Sequence, residues 1–245
     1  VSKRRGGVLG ATVFAIVGVA ILVGLGLWQL ERKVWKEDLI ATLNTRLAQP
    51  PDALASRDSW SDLSAARDEF RRVTFPAEFL PGEEALVYSA GSALRPDVKG
   101  PGYWVFAPAR LAGGSIVVVN RGFVPLDRKD PASRQQGAPA GRVDVVGALR
   151  WPEERGLFSA EDDVENGVWF SRDPKSMADA GGWSSTAPFY VEQESPVPSG
   201  GWPRPGRLNV DLRNAHLQYA ITWFALALGL AGVYVTWLMR HPRRP

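Results

Sequence analysis

Two long uncharged runs, residues 6–30 and 214–239, bracket a middle that breaks into short apolar and polar alternations. Each run exceeds the roughly 20 residues a helix needs to cross a bilayer core. The pattern predicts transmembrane helices over residues 7–30 and 217–239. After the first run, Leu30, Val34, Leu39, Leu43 and Leu47 recur at helical spacing with charges between them, which carries the first helix on to about Arg46. Residues 48–68 are polar and rich in Ala, Ser and Asp, and read as a mobile connector holding one short helix.

Strand signals begin at Phe70. "RRVTFPAEFL" and "EEALVYSA" flank "PGE" and read as a hairpin, and "GYWVFAPARL" and "SIVVVNRGFV" flank "AGG" as a second, clearer one. "RVDVVGALRW", "GVWFS" and "APFYVEQES" add three more strands. Between the last two, "DPKSMADAGG" predicts a short helix, with Asp173 as N-cap, Pro174 at its first position and glycines after it. "PVPSGGWPRPG" then leads to the second span. Short strands separated by turns point to a barrel or sandwich. The expected fold is membrane-anchored α+β: two transmembrane helices flanking an extracytoplasmic, antiparallel β-barrel-like domain. Its parts are a basic tail 1–6, a span 7–30, a helical extension and connector 31–69, a β-rich domain 70–200, a linker 201–216, a span 217–239 and a basic tail 240–245.

Charge orients this arrangement. Lys3, Arg4 and Arg5 precede the first run, Arg240, Arg243 and Arg244 follow the second, and neither flank holds an acid. All 26 acidic residues and 23 of the 29 basic ones lie within residues 31–216, so the middle is acidic and the net positive charge comes from the flanks. Short basic flanks stay in the cytoplasm. Both termini are therefore expected inside, with residues 31–216 outside, the bilayer as a partner and no nucleic-acid partner. The first run is expected to be a retained anchor and not a signal peptide, because Val8–Leu30 is too long for a signal core and no A-x-A site closes it. The chain has no cysteine, which removes disulfides and thiolate metal sites.

Catalytic signatures are missing: there is no G-x-S-x-G, P-loop, H-E-x-x-H or dinucleotide fingerprint, and no enzyme is expected. The chemistry narrows to two histidines. His241 sits in the basic tail, whereas His216 stands at the mouth of the second run in "NAHLQYAITWFALALG". On a helix His216 and Trp223 share a face about 10 Å apart along the axis, with Ala220 between them and Ala227 beyond. That spacing draws a shallow slot floored by Ala220 and walled by the indole, suited to a flat apolar ligand whose metal takes one imidazole, as heme does. A solvated helix end with an interfacial aromatic is the competing reading, with Ala225, Gly229 and Gly232 as small residues for helix packing. Antiparallel spans would bring Trp28, Gln29 and Arg32 to the level of His216, and a belt of interfacial aromatics accounts for Trp28 more readily than for Gln29. Arg121, ending a very apolar strand, is either a turn arginine closing the barrel or a partner for an acidic group such as a heme propionate.

"LGLWQLERKVWKEDLI", "VNRGFVP" and "NAHLQYAITWFALA", with "VVGALR" and "WFSRD" in the same order, resemble the signatures of the Surfeit-locus (Shy) family of cytochrome c oxidase assembly factors. Phe123 stands where the family often has the tryptophan of "RGW". The resemblance implies a non-enzymatic helper in the bacterial inner membrane. Its cargo would be heme a, with heme b as the alternative, carried toward the large catalytic subunit of heme-copper oxidase, with heme a synthase a further candidate partner. It implies His216 as axial ligand and Trp223 as the membrane tryptophan, with Arg121, Trp28 and Gln29 as supporting residues by motif position; Ala220, from the slot, and Tyr219 complete the candidate heme-binding set. Tyr219, a partner protein or a second copy's His216 are the alternatives for a sixth ligand. A scaffold that steadies a nascent oxidase subunit without holding heme is the competing expectation.

Overall fold

A computed structural model describes residues 2–138, 141–153, 156, 160–210 and 214–240, with backbone alone for 2–6. His241, Arg243 and Arg244 lie outside the described residues, as do the side chains of Lys3, Arg4 and Arg5. The chain divides into two units, one formed by its two end segments and the other by Thr42–Asp211.

The end unit holds α1 (Ser2–Ala48) up to Ala41 and α4 (His216–Arg240). Both are long and apolar enough to cross a membrane. Small residues let them approach. A Cβ on Gly26 would lie 2.5 Å from the Phe224 ring, and one on Gly18 would lie 2.8 Å from Leu230. Thr12 and Tyr234 join hydroxyls at 2.7 Å, so residue numbers rise along one helix as they fall along the other. Ala15, Ala220 and Ala227 are the buried alanines of this seam. On α4 the positions 216, 220, 224, 227, 230 and 234 follow one another at steps of three or four, which keeps one stripe of that helix facing α1.

In the second unit, β2 (Arg72–Phe79), β4 (Gly102–Arg110), β5 (Ile116–Pro125), β6 (Arg142–Arg150) and β8 (Thr186–Ser195) close into a barrel in the order β2-β6-β8-β5-β4, with β4 returning to β2. Alternate residues fill its interior: Val73, Phe75, Ala77 and Phe79 from β2, Val117 and Val119 from β5, and Phe189 and Val191 from β8. The barrel is mixed and not purely antiparallel, because β5 and β8 run parallel. Some 60 residues of chain, carrying β6 and a helix, supply the long connection that parallel neighbours need. Alternation looks the same in either direction, so the pattern had no means of separating the two.

The expected first hairpin is absent. β2 and β3 (Ala85–Ser89) do not pair with each other; both pair with β4, β2 along its end and β3 along its start. They are two lengths of one edge, bent at Pro81 and Gly82, where φ is +75°. The second hairpin, β4 with β5, forms as expected. β7 is only Val168–Trp169, lying parallel to β3. The short helix α3 (Pro174–Gly181) forms as read, with Asp173 accepting from the Lys175 amide and Gly182 closing it in the left-handed conformation.

Residues 52–68 are folded, contrary to the mobile connector expected. β1 (Asp52–Ala53) pairs with β2, and α2 (Ala65–Asp68) follows a 3₁₀ turn whose Trp60 packs edge-on against Phe189 at 5.6 Å. The single aromatic in a polar stretch is what ties it to the core. The proline-rich segment after β8 also lies on the barrel: Arg204 bridges Phe123, and the Gly206 amide donates to the Gln193 carbonyl.

Candidate functional site

His216 is the first residue of α4 and is half-buried. Its Nδ1 lies 2.7 Å from Oε1 of Gln29 on α1. Asn214, just before the helix, holds the backbone at the same level: its Oδ1 accepts from the His216 amide at 3.4 Å, and its Nδ2 donates to the Lys33 carbonyl at 3.4 Å. The apolar run starts a helix here because Asn214 takes up one of the amides a helix start leaves unpaired. The antiparallel seam then sets Gln29 opposite the imidazole.

The sequence therefore anticipated the meeting of Gln29 with His216, and missed the form of the slot. Ala220 and Ala227 are 1% and 4% exposed, flanked by the Gln29–His216 and Gly18–Leu230 contacts, so the floor between them is filled. Helix packing accounts for Ala220 and Ala227, whereas Ala225, Gly229 and Gly232, the small residues expected to pack, are exposed, with nothing within 4 Å of a Cβ on either glycine. Trp223 is half-buried beside this seam, whereas Tyr219 and Trp28 are exposed. Arg32 does not join His216 and instead lies 4.2 Å over the Trp35 ring.

Arg121 belongs to the barrel unit. It is buried, with Nη2 donating to the Gly137 carbonyl at 2.6 Å, Nη1 3.4 Å from Glu84 and its guanidinium over the Phe79 ring. Arg134 takes the stronger hold on Glu84, at 2.6 and 2.9 Å. Burial lowers the Arg121 pKa from its ordinary value and neighbouring Arg134 adds to this, while Glu84 works against it. The group lines a cavity of about 290 Å³ with Phe79, Glu83 and Pro203. Arg121 therefore lies within β5, four residues before its end, and not at a turn as expected; its bonds tie that strand to Gly137 and Glu84.

A second polar cluster was not anticipated. Arg150, Tyr190 and Glu192 are buried on the outer face of β6 and β8, with Arg172 stacked over Trp104 at 5.2 Å. Asn120 donates to Glu192 at 2.9 Å and accepts from the Gly122 amide at 3.0 Å, while Arg150 reaches Glu69 at 3.0 Å. Burial pushes the Tyr190 phenol up to about 12, and the charges of Arg150 and Arg172 offset this only in part. The sequence carries no distinct signal for it, because Glu192 opens the polar half, "EQES", of its strand.

Together these features define a small mixed β-barrel domain that lies, in chain order, between two helices apolar enough to span a membrane, with a histidine clasped at the start of the second. The chain belongs to the SURF1 family, whose sequence model matches residues 16–228. It is 35% identical over 237 residues to the SURF1-like protein of Monosiga brevicollis, covering 92% of this chain and 85% of that one. It is 33% identical to Surfeit locus protein 1 of Rattus norvegicus (92% and 74% covered) and 32% identical to that of Homo sapiens (83% and 69%). The family resemblance read from the motifs is borne out.

Proposed function

We propose that this protein is an assembly factor for heme-copper oxidase that holds heme a as cargo on His216 and passes it toward the large catalytic subunit. It would stand in the bacterial inner membrane on two spans, both termini cytoplasmic and the barrel domain outside, as the basic flanks and acidic middle suggest. The carrying observation is the clasp of His216 by Gln29, at the polar end of two apolar helices. Imidazole is a common axial ligand of heme iron, and one already hydrogen-bonded through a ring nitrogen has the usual form of a ligating histidine.

The donor set fits a carrier that binds from one side. Among the described residues no group of three or more His, Cys, Asp or Glu gathers as a metal site, and His216 is the one imidazole there to meet the iron. The apolar, exposed sides of Leu217 and Ile221 offer the macrocycle hydrophobic cover. The described partners of His216 are an amide and an asparagine, neither a nucleophile nor a carboxylate, which favours a carrier over an enzyme.

One observation favours the scaffold reading instead: the filled seam at Ala220 and Ala227 leaves no slot between the helices. Heme a content of the oxidase in cells whose only copy is His216→Ala separates the two. The carrier reading predicts oxidase depleted in heme a although the variant is present at its usual level; a scaffold predicts oxidase with normal heme content.

A further inference from the structure

We propose that Gln29 is a positioning residue that locks His216 with its proton on Nδ1, so that Nε2 is the nitrogen offered to iron. This rests on the heme-carrier reading above. An amide Oε1 has lone pairs and no proton, so at 2.7 Å the Nδ1–H must be the donor. A neutral imidazole carries one N–H, which leaves the lone pair on Nε2. Without an acceptor at Nδ1, water sets the tautomer, and a neutral histidine in water carries its proton mostly on Nε2, the form that cannot bind iron there.

The packing explains why Gln29 meets the ring. Gly26, one turn earlier on α1, lets the Phe224 ring come within 2.5 Å of where a Cβ would stand, which draws the helices together just below the pair. Asn214 bridges the Lys33 carbonyl and the His216 amide just above it. The imidazole is thus held at ring and backbone at once, and Gln29 is itself half-buried. A belt of interfacial aromatics gives no role to such an amide.

The acceptor is also neutral. A carboxylate in its place would fix the same tautomer but increase the basicity of the ligand and strengthen its bond to the metal. Glutamine sets the geometry without that added hold, which suits cargo meant to leave. Gln29→Glu therefore keeps the tautomer, binds heme more tightly and releases it more slowly, while Gln29→Leu keeps the apolar seam and loses the acceptor.

The test uses the full chain in detergent, free of heme and labelled with ¹⁵N-histidine. His216 is identified by comparison with His216→Ala, since the chain has only two histidines. The wild type should show Nδ1 protonated and Nε2 unprotonated, Gln29→Glu the same, and Gln29→Leu a shift toward Nε2–H. Titration with hemin, followed at the Soret band, should give about 10- to 100-fold weaker binding for Gln29→Leu and binding at least as tight as wild type for Gln29→Glu. Nε2–H in the wild type itself overturns the proposal whatever the variants do. So does Gln29→Leu with unchanged tautomer and affinity, while loss of hemin in His216→Ala leaves the carrier reading standing. If His216→Ala binds hemin like wild type, the carrier reading fails, and the tautomer spectra still decide whether Gln29 sets the ring.

Discussion

At the scale of single residues, the histidine was legible because a lone imidazole at the mouth of an uncharged run has few ordinary roles. Gln29 was legible for a similar reason, as a polar side chain at the edge of an apolar helix. The cluster of Arg150, Arg172, Tyr190 and Glu192 was not, because alternation along a strand shows which residues share a face and not whether the outer face is covered. Tyr190 gives this cluster a measurable pH signature. Its folded-state pKa is raised from 10.0 to about 12, so the folded protein keeps a proton that the unfolded chain releases first. Its contribution is fully present below pH 10 and is lost as pH rises from 10 to 12, for a total of roughly 3 kcal/mol. Urea unfolding of the barrel unit in the detergent-solubilised chain should show that alkaline loss. Tyr190→Phe should lessen it, and an equal loss in the variant would place the titrating group elsewhere.

At the scale of elements, the strands were largely legible and their partners were not. The "AGG" turn made its hairpin because β4 and β5 continue antiparallel on either side of it. The "PGE" turn did not, because β4 supplies a longer edge along which β2 and β3 both lie. A local turn signal specifies a bend, and the long-range partner decides whether the chain reverses there. The same dependence appears at Gly122 in "NRGF". Its φ is +124°, and a Cβ would fall 2.2 Å from the Arg204 carbonyl, where the segment after β8 crosses the barrel wall. Gly122→Ala should cost about 2–4 kcal/mol, by backbone strain and by separating that segment from β5. A urea midpoint equal to wild type would show that the crossing is not held there.

At the scale of the whole molecule, two uncharged runs and an uneven charge distribution carried most of the architecture: two apolar helices at the ends and a β-barrel domain between them in sequence. The division into two units follows, because residues 42–211 bury their own core around β2, β5 and β8. The proposed topology has its own test, made simple by the absence of native cysteines. Single cysteines at Ser2 and Ser199 should differ in intact cells, with an impermeant thiol reagent labelling position 199 and sparing position 2; the reverse pattern would invert the orientation. The central claim is that His216 holds heme, and the most direct measurement is an absorption spectrum. The full chain purified from cells that synthesise heme a should show a Soret band that is absent or strongly reduced in an equally abundant His216→Ala protein. A band of the same position and intensity in both would contradict it.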